Sequence, residues 1–302
     1  MTWQAVTPQV FELGESPFWH PHELMLYWVD IPGKCIHRCN IFMGSVESWA
    51  MPTEPGSMAP AESGGLVIAL RDGIYRARQW GGALIKLASG VHDTATTRFN
   101  DGKADPAGRF WAGTMFEPRT SASAGLFVLD GGALAQKVSN ATIANGLAWS
   151  PDANTLYWAD TPTHTVRAWN FNAATSALTN ERVFKRWPGK PAGWQFGKDN
   201  YQDYGGRPDG AAVDAEGNYY VAMFEGARIC KLSPGGQELA SIPVPAQCPT
   251  MPCFGGDDLK TLFVTTACYN RSAAELQAYP QSGCVLSMRV DVPGQAVNFY
   301  RD

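Results

Sequence analysis

The sequence predicts an all-β fold: a six-bladed β-propeller with four antiparallel strands in each blade. A short unit, in which a polar turn leads into an aromatic strand, recurs six times along the chain. Most steps between these units are roughly 40 to 47 residues, which is the period of a four-stranded propeller blade. The long amphipathic helical segments that a parallel α/β sheet needs for its crossovers are not visible in the pattern.

The repeating unit is clearest in the segments DPAGRFWAG, SPDANTLYWAD and VDAEGNYYVAM. In each of them Asp, Pro or Gly favours a tight turn, and the aromatic strand follows it. HPHELMLYWVD and GGDDLKTLFVTTA are looser copies, and ESGGLVIAL is the weakest. The residues that we place at equivalent strand positions are Trp28, Ile68, Trp111, Trp158, Tyr220 and Phe263.

We interpret residues 1–302 as a single propeller domain with one loop insertion at about 183–207. The step from Trp158 to Tyr220 exceeds the repeat period, and its extra residues are rich in Gly, Pro and aromatic side chains. Insertions in repeat folds collect in loops, often on the binding face. Aromatic residues in this insertion either roof a binding site or pack on the propeller's own surface, and the sequence leaves both open for Trp187, Trp194, Phe196, Tyr201 and Tyr204.

The composition excludes several classes of protein. Hydrophobic residues make up 45% of the chain and charged residues 17%, with a formal net charge of −4, so a generic nucleic-acid surface is disfavoured. No apolar run is long enough to span a bilayer, and the N-terminus lacks the pattern of a secretion signal. We therefore expect a cytoplasmic monomer that binds neither nucleic acid nor membranes. The seven cysteines, an odd number without a CxxC pair, predict buried free thiols.

Four polar side chains are not required by the repeat: Glu15, Asn100, Asn145 and Asp209. Each comes shortly before a candidate innermost strand, and the innermost strands of a propeller line its central channel. We therefore expect these side chains to converge at one mouth of the channel. Their oxygen atoms, without His or Cys, favour a hard cation such as calcium, magnesium or manganese. Alternatively, the Asn-Gly and Asp-Gly pairs are ordinary turn dipeptides and Glu15 is an exposed charge.

The order of motifs along most of the chain resembles the senescence-marker-protein/gluconolactonase family, also called regucalcin-like. The motifs are LGESPFW, YWVDI, RFNDGKADPAGRFWAGTM, NGLAWSPD, LYWADT, PDGAAVDAEGNYYVA and CFGGDDLKTLFVTTA. The resemblance implies a six-bladed propeller that binds one divalent metal ion in its channel and opens sugar lactones to aldonic acids. Calcium is the first expectation for that ion, and zinc, manganese, magnesium or ferrous iron are alternatives.

The same resemblance implies roles for individual residues. The metal ligands fall on Glu15, Asn145 and Asp209, and the substrate-contacting pair falls on Arg98 and Asn100. A third substrate contact falls within about one position of Glu117, in the segment GTMFEPR. Asp209 is also the candidate general base, because a ligand carboxylate keeps a second oxygen atom for the proton. We assign the neighbouring Asp101 to the Asn-Asp-Gly turn.

The sequence thus predicts an enzyme that hydrolyses an aldonolactone, such as glucono-, xylono- or arabinonolactone, with the help of a divalent metal ion. Such an ion acts as a Lewis acid and lowers the pKa of bound water. A GxSxG motif is missing from the sequence, which argues against a serine hydrolase of the α/β type. Two alternatives stay open: a hydrolase of another lactone or ester at the same metal site, and a non-catalytic metal-binding propeller.

Overall fold

A computed structural model describes residues 2–198 and 204–302. Within that part of the chain, six separate sheets of four antiparallel strands follow one another. The first strand of each sheet contacts the first strand of the next sheet, and the ring closes between the sixth sheet and the first. The predicted six-bladed β-propeller is therefore confirmed.

The first three blades each consist of four strands consecutive in the chain. Blade one contains β2 (Gly14–His20), β3 (Met25–Asp30), β4 (Cys35–Asn40) and β5 (Ser45–Ala50). Blade two contains β6 (Pro55–Pro60), β7 (Leu66–Leu70), β8 (Gly73–Ala77) and β9 (Ile85–Ser89). Blade three contains β10 (Thr97–Ala104), β11 (Phe110–Phe116), β12 (Ala124–Asp130) and β13 (Ala133–Ala141).

Blades four and five follow the same pattern, whereas blade six takes its fourth strand from the N-terminus of the chain. Blade four contains β14 (Ala144–Trp149), β15 (Thr155–Asp160), β16 (Thr165–Asn172) and β17 (Ala177–Arg186). Blade five contains β18 (Arg207–Val213), β19 (Tyr219–Phe224), β20 (Arg228–Leu232) and β21 (Glu238–Pro243). Blade six contains β22 (Pro249–Gly255), β23 (Thr261–Thr266), β24 (Leu286–Arg289) and the N-terminal β1 (Gln4–Ala5), which pairs with β24 and so joins the two ends of the ring.

Helical structure is confined to short connections. In the part of the chain that is described, these are a 3₁₀ turn at Thr161–Thr163 and one α-helix, α1 (Ala273–Ala278). Ser272 caps α1 by accepting a hydrogen bond from the Glu275 amide at 3.2 Å. Neither element is long and apolar enough to cross a membrane. All seven cysteines are free, and five of them are buried.

The core lies between neighbouring blades and is built largely from aromatic side chains of the second strands. The six residues placed at equivalent positions from the sequence lie on β3, β7, β11, β15, β19 and β23, the second strand of every blade. Trp28, Trp111 and Trp158 are fully inaccessible to solvent. Burial of such large rings on both sides of each sheet stabilises the ring as a whole.

Every innermost strand carries a β-bulge near its beginning, where its register with the second strand shifts. Glu15 and Asn145 stand directly before their shift, whereas Asn100 and Asp209 lie within theirs. A bulge re-aims side chains at the end of a strand. The four predicted polar residues therefore lie at the β-bulges that recur in all six blades.

The C-terminal segment covers the end of the channel opposite these bulges. Gln295 donates a hydrogen bond from Nε2 to the Trp149 carbonyl at 3.1 Å, and Asn298 donates one to the Ala104 carbonyl at 3.1 Å. A second, smaller cavity of about 100 Å³ lies between this segment and the innermost strands. The larger opening of the channel is therefore at the bulged ends.

The turns before the second strands are held by aspartates, as the repeat predicts. Asp105 is fully buried, and its Oδ1 accepts hydrogen bonds from the amides of Ala107 at 2.8 Å and Arg109 at 3.0 Å. Its Oδ2 accepts from Trp111 Nε1 and Arg109 Nε, both at 2.8 Å. The first carboxylate oxygen orders the turn, and the second ties that turn to the aromatic core.

We expect Asp105→Ala to lower the free energy of unfolding by about 3 kcal/mol, because it leaves several buried donors without an acceptor. Asp152→Ala is the matched control. Asp152 holds an equivalent but exposed turn, in which it accepts from Ser150 Oγ at 2.6 Å and the Asn154 amide at 3.1 Å. Urea unfolding of both variants measures the difference, and equal losses would contradict the role of burial.

Candidate functional site

One cavity of about 490 Å³ opens at the bulged ends of the innermost strands. All six candidate residues from the sequence line it: Glu15, Arg98, Asn100, Glu117, Asn145 and Asp209. They come from blades one, three, four and five, and they are distant from one another in the sequence. The residues of the innermost strands lie at or beside the bulges, whereas Glu117 follows the end of β11.

Glu15 and Asp209 are buried acids in this cavity, with only 7% and 6% of their surface exposed. Burial raises the pKa of Asp209 to about 8. Burial, and then the charges of Asp209 and Asp101, hold the pKa of Glu15 well above its usual range. Two carboxylates that share a desolvated space disfavour each other's ionised form, so a cation placed between them would be strongly stabilised.

A chain of hydrogen bonds fixes the two amide side chains between the acids. Asn100 Nδ2 donates to Asn145 Oδ1 at 2.9 Å and to the Ala144 carbonyl at 2.8 Å. Asn145 Nδ2 donates to Thr161 Oγ1 at 2.8 Å, and Thr161 in turn donates to the Pro208 carbonyl at 2.7 Å. These contacts connect blades three, four and five and set the direction of the Asn145 oxygen.

The Asn-Gly pair lies inside strand β14 at its bulge rather than in a turn, and Asn145 lines the cavity. Gly146 adopts a φ of 62°, and a Cβ atom there would lie 2.4 Å from the Tyr219 hydroxyl oxygen. The glycine permits the left-handed backbone and the close contact, while the asparagine before it faces the cavity.

Arg98 is buried beside the same amides, with 7% of its surface exposed. Its Nη1 donates to Asn100 Oδ1 at 2.7 Å and to the Phe99 carbonyl at 2.9 Å. Its Nη2 lies 3.2 Å from the Met115 sulfur. Burial lowers the pKa of Arg98 from its usual value, although the guanidinium remains a cation near neutrality. These contacts fix the Arg98 guanidinium, which is a hydrogen-bond donor, at the wall of the cavity.

Glu117 is held at the rim by a cation that the sequence analysis did not identify. Arg71 binds both of its carboxylate oxygens, with Nη1–Oε2 at 2.9 Å and Nη2–Oε1 at 3.0 Å. The Nε atom of Arg71 also binds Glu54 at 2.9 Å. Arg98 Nε lies 3.7 Å from Glu117 Oε1. Glu117 is therefore an oriented acceptor, although it lies at the end of a different strand from Arg98.

The predicted Asn-Asp-Gly turn is wrong, because Asp101 lies inside strand β10 at its bulge and acts between blades instead. Its Oδ2 accepts a hydrogen bond from the Leu147 amide of blade four at 2.9 Å. Burial raises the pKa of Asp101, and the charge of Lys103 opposes that rise. Asp101 therefore adds a further buried carboxyl group close to the candidate site, which turn propensity alone does not indicate.

The aromatic residues of the insertion pack on the propeller rather than line the cavity, as far as the described residues show. Trp187 belongs to the core between blades four and five. Trp194 makes an edge contact with Tyr204, and Phe196 makes one with Tyr279. The remaining candidate, Tyr201, lies outside the described residues.

Glu15, Asn145 and Asp209 are the candidate donor set for a metal ion. No group of three or more His, Cys, Asp and Glu side chains is placed to hold a metal within residues 2–198 and 204–302. The candidate set instead combines two carboxylates with one amide oxygen. Such oxygen donors suit a hard divalent cation, and burial, the first cause of the raised pKa of both acids, makes their ionised form depend on added positive charge.

Three further arginines line one side of the cavity, and the sequence analysis did not identify them: Arg119, Arg207 and Arg271. Arg207 and Arg271 both contact the buried Glu225, at 3.2 Å and 3.3 Å. Arg207 stands two residues before Asp209, which is the only sequence signal for any of them. They lie in loops or at strand ends, where the repeat makes no prediction.

Comparisons with known proteins find relatives that cover nearly the whole chain. The family model described as the SMP-30/Gluconolactonase/LRE-like region matches residues 13–268. The 6-deoxy-6-sulfogluconolactonase of Pseudomonas putida is 41% identical over 300 residues, which cover 98% of this chain and 97% of the relative. The regucalcin of Danio rerio is 32% identical over 94% of this chain and 93% of its own length. The crystal structure of regucalcin from Agrobacterium tumefaciens, described as a calcium-binding protein, superposes with a TM-score of 0.90 at 25% identity and covers 100% of this chain and 98% of that one.

The raised pKa of Asp209 predicts how the free energy of unfolding of the chelated protein depends on pH. Because the pKa rises to about 8 on folding, the folded state binds more protons than the unfolded state between about pH 4 and pH 8. The free energy of unfolding should therefore fall as pH rises through that window, by up to about 1.4 kcal/mol per pH unit. Asp209→Asn should flatten this slope.

Urea unfolding at pH 5 and pH 7.5, in the presence of a chelator, measures the effect. Asp258→Asn is the control, because the hydrogen bond from Arg289 lowers the pKa of Asp258 to about 2, below the window. A pH slope that is the same in wild type and Asp209→Asn would contradict the burial of an ionisable group at this position.

Proposed function

Because this chain belongs to the SMP-30/gluconolactonase/LRE-like family, we propose that it hydrolyses a sugar lactone to the aldonic acid. The observation that carries the proposal is the meeting of two buried acids, two amides and a buried arginine in one cavity. A propeller that serves only as a scaffold has no need to bury uncompensated carboxylates in its channel. The names of its relatives support the same chemistry, since one is named 6-deoxy-6-sulfogluconolactonase.

Glu15, Asn145 and Asp209 are the residues that would hold a divalent cation. When bound, the cation supplies Lewis acidity toward the lactone carbonyl and lowers the pKa of a nearby water molecule. Oxygen donors rank calcium first, with manganese, magnesium, zinc or ferrous iron as alternatives, and a regucalcin neighbour is described as calcium-binding. Asn145 is held ready for this task by its hydrogen bonds to Asn100 and Thr161.

Asp209 is the proposed general base. It takes a proton from the water molecule that attacks the lactone carbonyl carbon, and the ring C–O bond then breaks. Protonated Asp209 then returns this proton to the ring oxygen, which leaves as a hydroxyl group, so one lactone and one water molecule give one hydroxy acid. The pKa of about 8 places the free carboxyl group in the range in which proton exchange at neutral pH is efficient, and a neighbouring cation would lower that value.

Arg98, Asn100 and Glu117 would orient the sugar. The guanidinium of Arg98 supplies donors, and the carboxylate of Glu117 supplies acceptors for ring hydroxyl groups. Both side chains are fixed before the substrate arrives, Arg98 by Asn100 and Glu117 by Arg71. Preorganised groups of this kind lose little entropy on binding, which favours productive geometry.

Asp209→Asn should lower kcat for aldonolactones by at least about a hundredfold, because the amide cannot accept the proton. A pH-stat with glucono-, xylono- and arabinonolactones measures the rate, and thermal melting checks that the variant is folded. Asp258→Asn, an exposed acid far from the cavity, is the control. A folded Asp209→Asn variant that keeps the wild-type kcat would exclude Asp209 as the base.

Chelation followed by the addition of single metal ions tests the donor set independently of activity. Calcium, manganese or zinc should raise the melting temperature of the chelated protein by several degrees, since a ligand that binds only the folded state stabilises it. Glu15→Gln should remove most of this increase, whereas Glu62→Gln on the surface should keep it. If no metal ion raises the melting temperature of the wild type, the proposed donor set is wrong.

A further inference from the structure

The charges around the cavity are distributed unevenly. On one side, Arg71 is compensated by Glu54 and Glu117, and Glu117 also lies near Arg98. On the other side, the cationic cluster consists of Arg119, Lys190, Arg207 and Arg271. The first side is close to neutral, whereas the second has more cations than acids.

Glu225 lies at the centre of the cationic cluster. It is 3% exposed and follows strand β19. Lys190 Nζ lies 2.9 Å and 2.8 Å from its two oxygens, and Arg207 and Arg271 contact it at 3.2 Å and 3.3 Å. Burial raises the pKa of Glu225, but the charges of Arg207 and Lys190 outweigh burial and lower it. The Glu225 carboxylate is therefore the shared counterion of Lys190, Arg207 and Arg271.

Glu275 is the second acid of this region, and among the described residues its one ion-pair partner is Arg271, at 2.6 Å. Two carboxylates thus face four cations among the described residues, which leaves two positive charges uncompensated. Glu15 and Asp209 do not change this excess of positive charge, because a divalent cation bound between them would neutralise their two negative charges. The excess positive charge remains available to a ligand.

Arg119 is the clearest unpartnered cation. Within residues 2–198 and 204–302, no acceptor lies within hydrogen-bond or ion-pair distance of its guanidinium group. Burial, and then the charge of Arg207, lower its pKa. Its backbone adopts a φ of 57°, a left-handed conformation that a non-glycine residue adopts at some cost and that here follows the strand ending at Phe116. The turn after β11 therefore places the Arg119 guanidinium, which the charge of Arg207 repels, at the rim of the cavity.

We infer that Arg119 and Arg207, supported by Arg271, form a subsite for an anionic group on the sugar lactone. The group is a sulfonate, a phosphate ester or a carboxylate at the end of the sugar remote from the lactone carbonyl. Guanidinium groups bind such oxyanions through paired, charge-assisted hydrogen bonds. The charge of Arg207 also reaches Asp209, so this subsite and the proposed metal site share one cavity. The inference rests on the proposed lactonase function and narrows its substrate class.

The test compares lactones that differ only at the remote carbon. The probes are glucono-1,5-lactone, its 6-phosphate, 6-deoxy-6-sulfogluconolactone and a glucarolactone with a 6-carboxylate, assayed by pH-stat at low ionic strength. We expect kcat/KM to be at least tenfold higher for one or more anionic lactones than for the neutral one. The order among the three anions then identifies the group, and added salt should reduce the preference because exposed charges are screened.

Arg119→Gln and Arg207→Gln are the variants, and the ratio of kcat/KM for the preferred anionic lactone to that for the neutral lactone is the readout. Each substitution should lower this ratio about tenfold or more. Glu225 keeps Lys190 and Arg271 as partners in Arg207→Gln, so we expect that variant to fold. Arg182→Gln, on the exposed outer strand of blade four, is the matched control and should leave the ratio unchanged.

The outcomes separate this inference from the proposed function. Turnover of the neutral lactone without any preference for an anionic one, or a specificity ratio unchanged in both arginine variants, overturns the anion subsite alone. If neither neutral nor anionic lactones are turned over by the metal-loaded protein, the lactonase proposal fails and the subsite proposal fails with it. If the preference for an anionic lactone is lost in Arg119→Gln and Arg207→Gln and kept in Arg182→Gln, the lactonase function and the anion subsite are both supported.

Discussion

The burial of Glu15 and Asp209 at one end of the channel is the constraint on which the rest of the site depends. Carboxylates in a desolvated space favour protonation, and two of them repel each other when ionised. The fold accepts this cost on blades one and five, which face the same opening from different parts of the ring. The charges of Arg98 and Arg207 favour the ionised form of Asp209 but do not overcome burial, so full ionisation of both acids needs further positive charge between them.

The fold could be predicted from the sequence because its unit repeats at the level of turns and strands. Asp105 and the aromatic residue that follows it appear in several copies, and the structure shows that the carboxylate orders the turn and contacts the core. The β-bulges could not be predicted, because a register shift depends on pairing between strands rather than on local propensity. The closing strand Gln4–Ala5 and the C-terminal cover were also missed, since neither belongs to the repeat.

For the site, the sequence predicted which side chains lie together but not what supports them. Glu15, Asn145 and Asp209 interrupt a repeating pattern, so their position in the fold follows once the blades are assigned. The support of Glu117 by Arg71 links residues 46 positions apart from two different blades. A repeat defines the register of each blade but not the ion pairs between their loops, and these contacts become visible only in three dimensions.

The two kinds of charge in the cavity have different structural origins, and this difference bears on specificity. The acids lie on the innermost strands, where the bulges fix them, and the proposed reaction depends on them. Arg119 lies in the loop after Phe116, Arg207 is the first residue of β18, and Arg271 lies between β23 and α1, where substitutions disturb little of the core. A propeller of this kind can therefore keep one reaction while its loops select the remote group of the substrate. The left-handed turn at Arg119 is one such loop element, because it adds a cation to the rim and lies outside every strand.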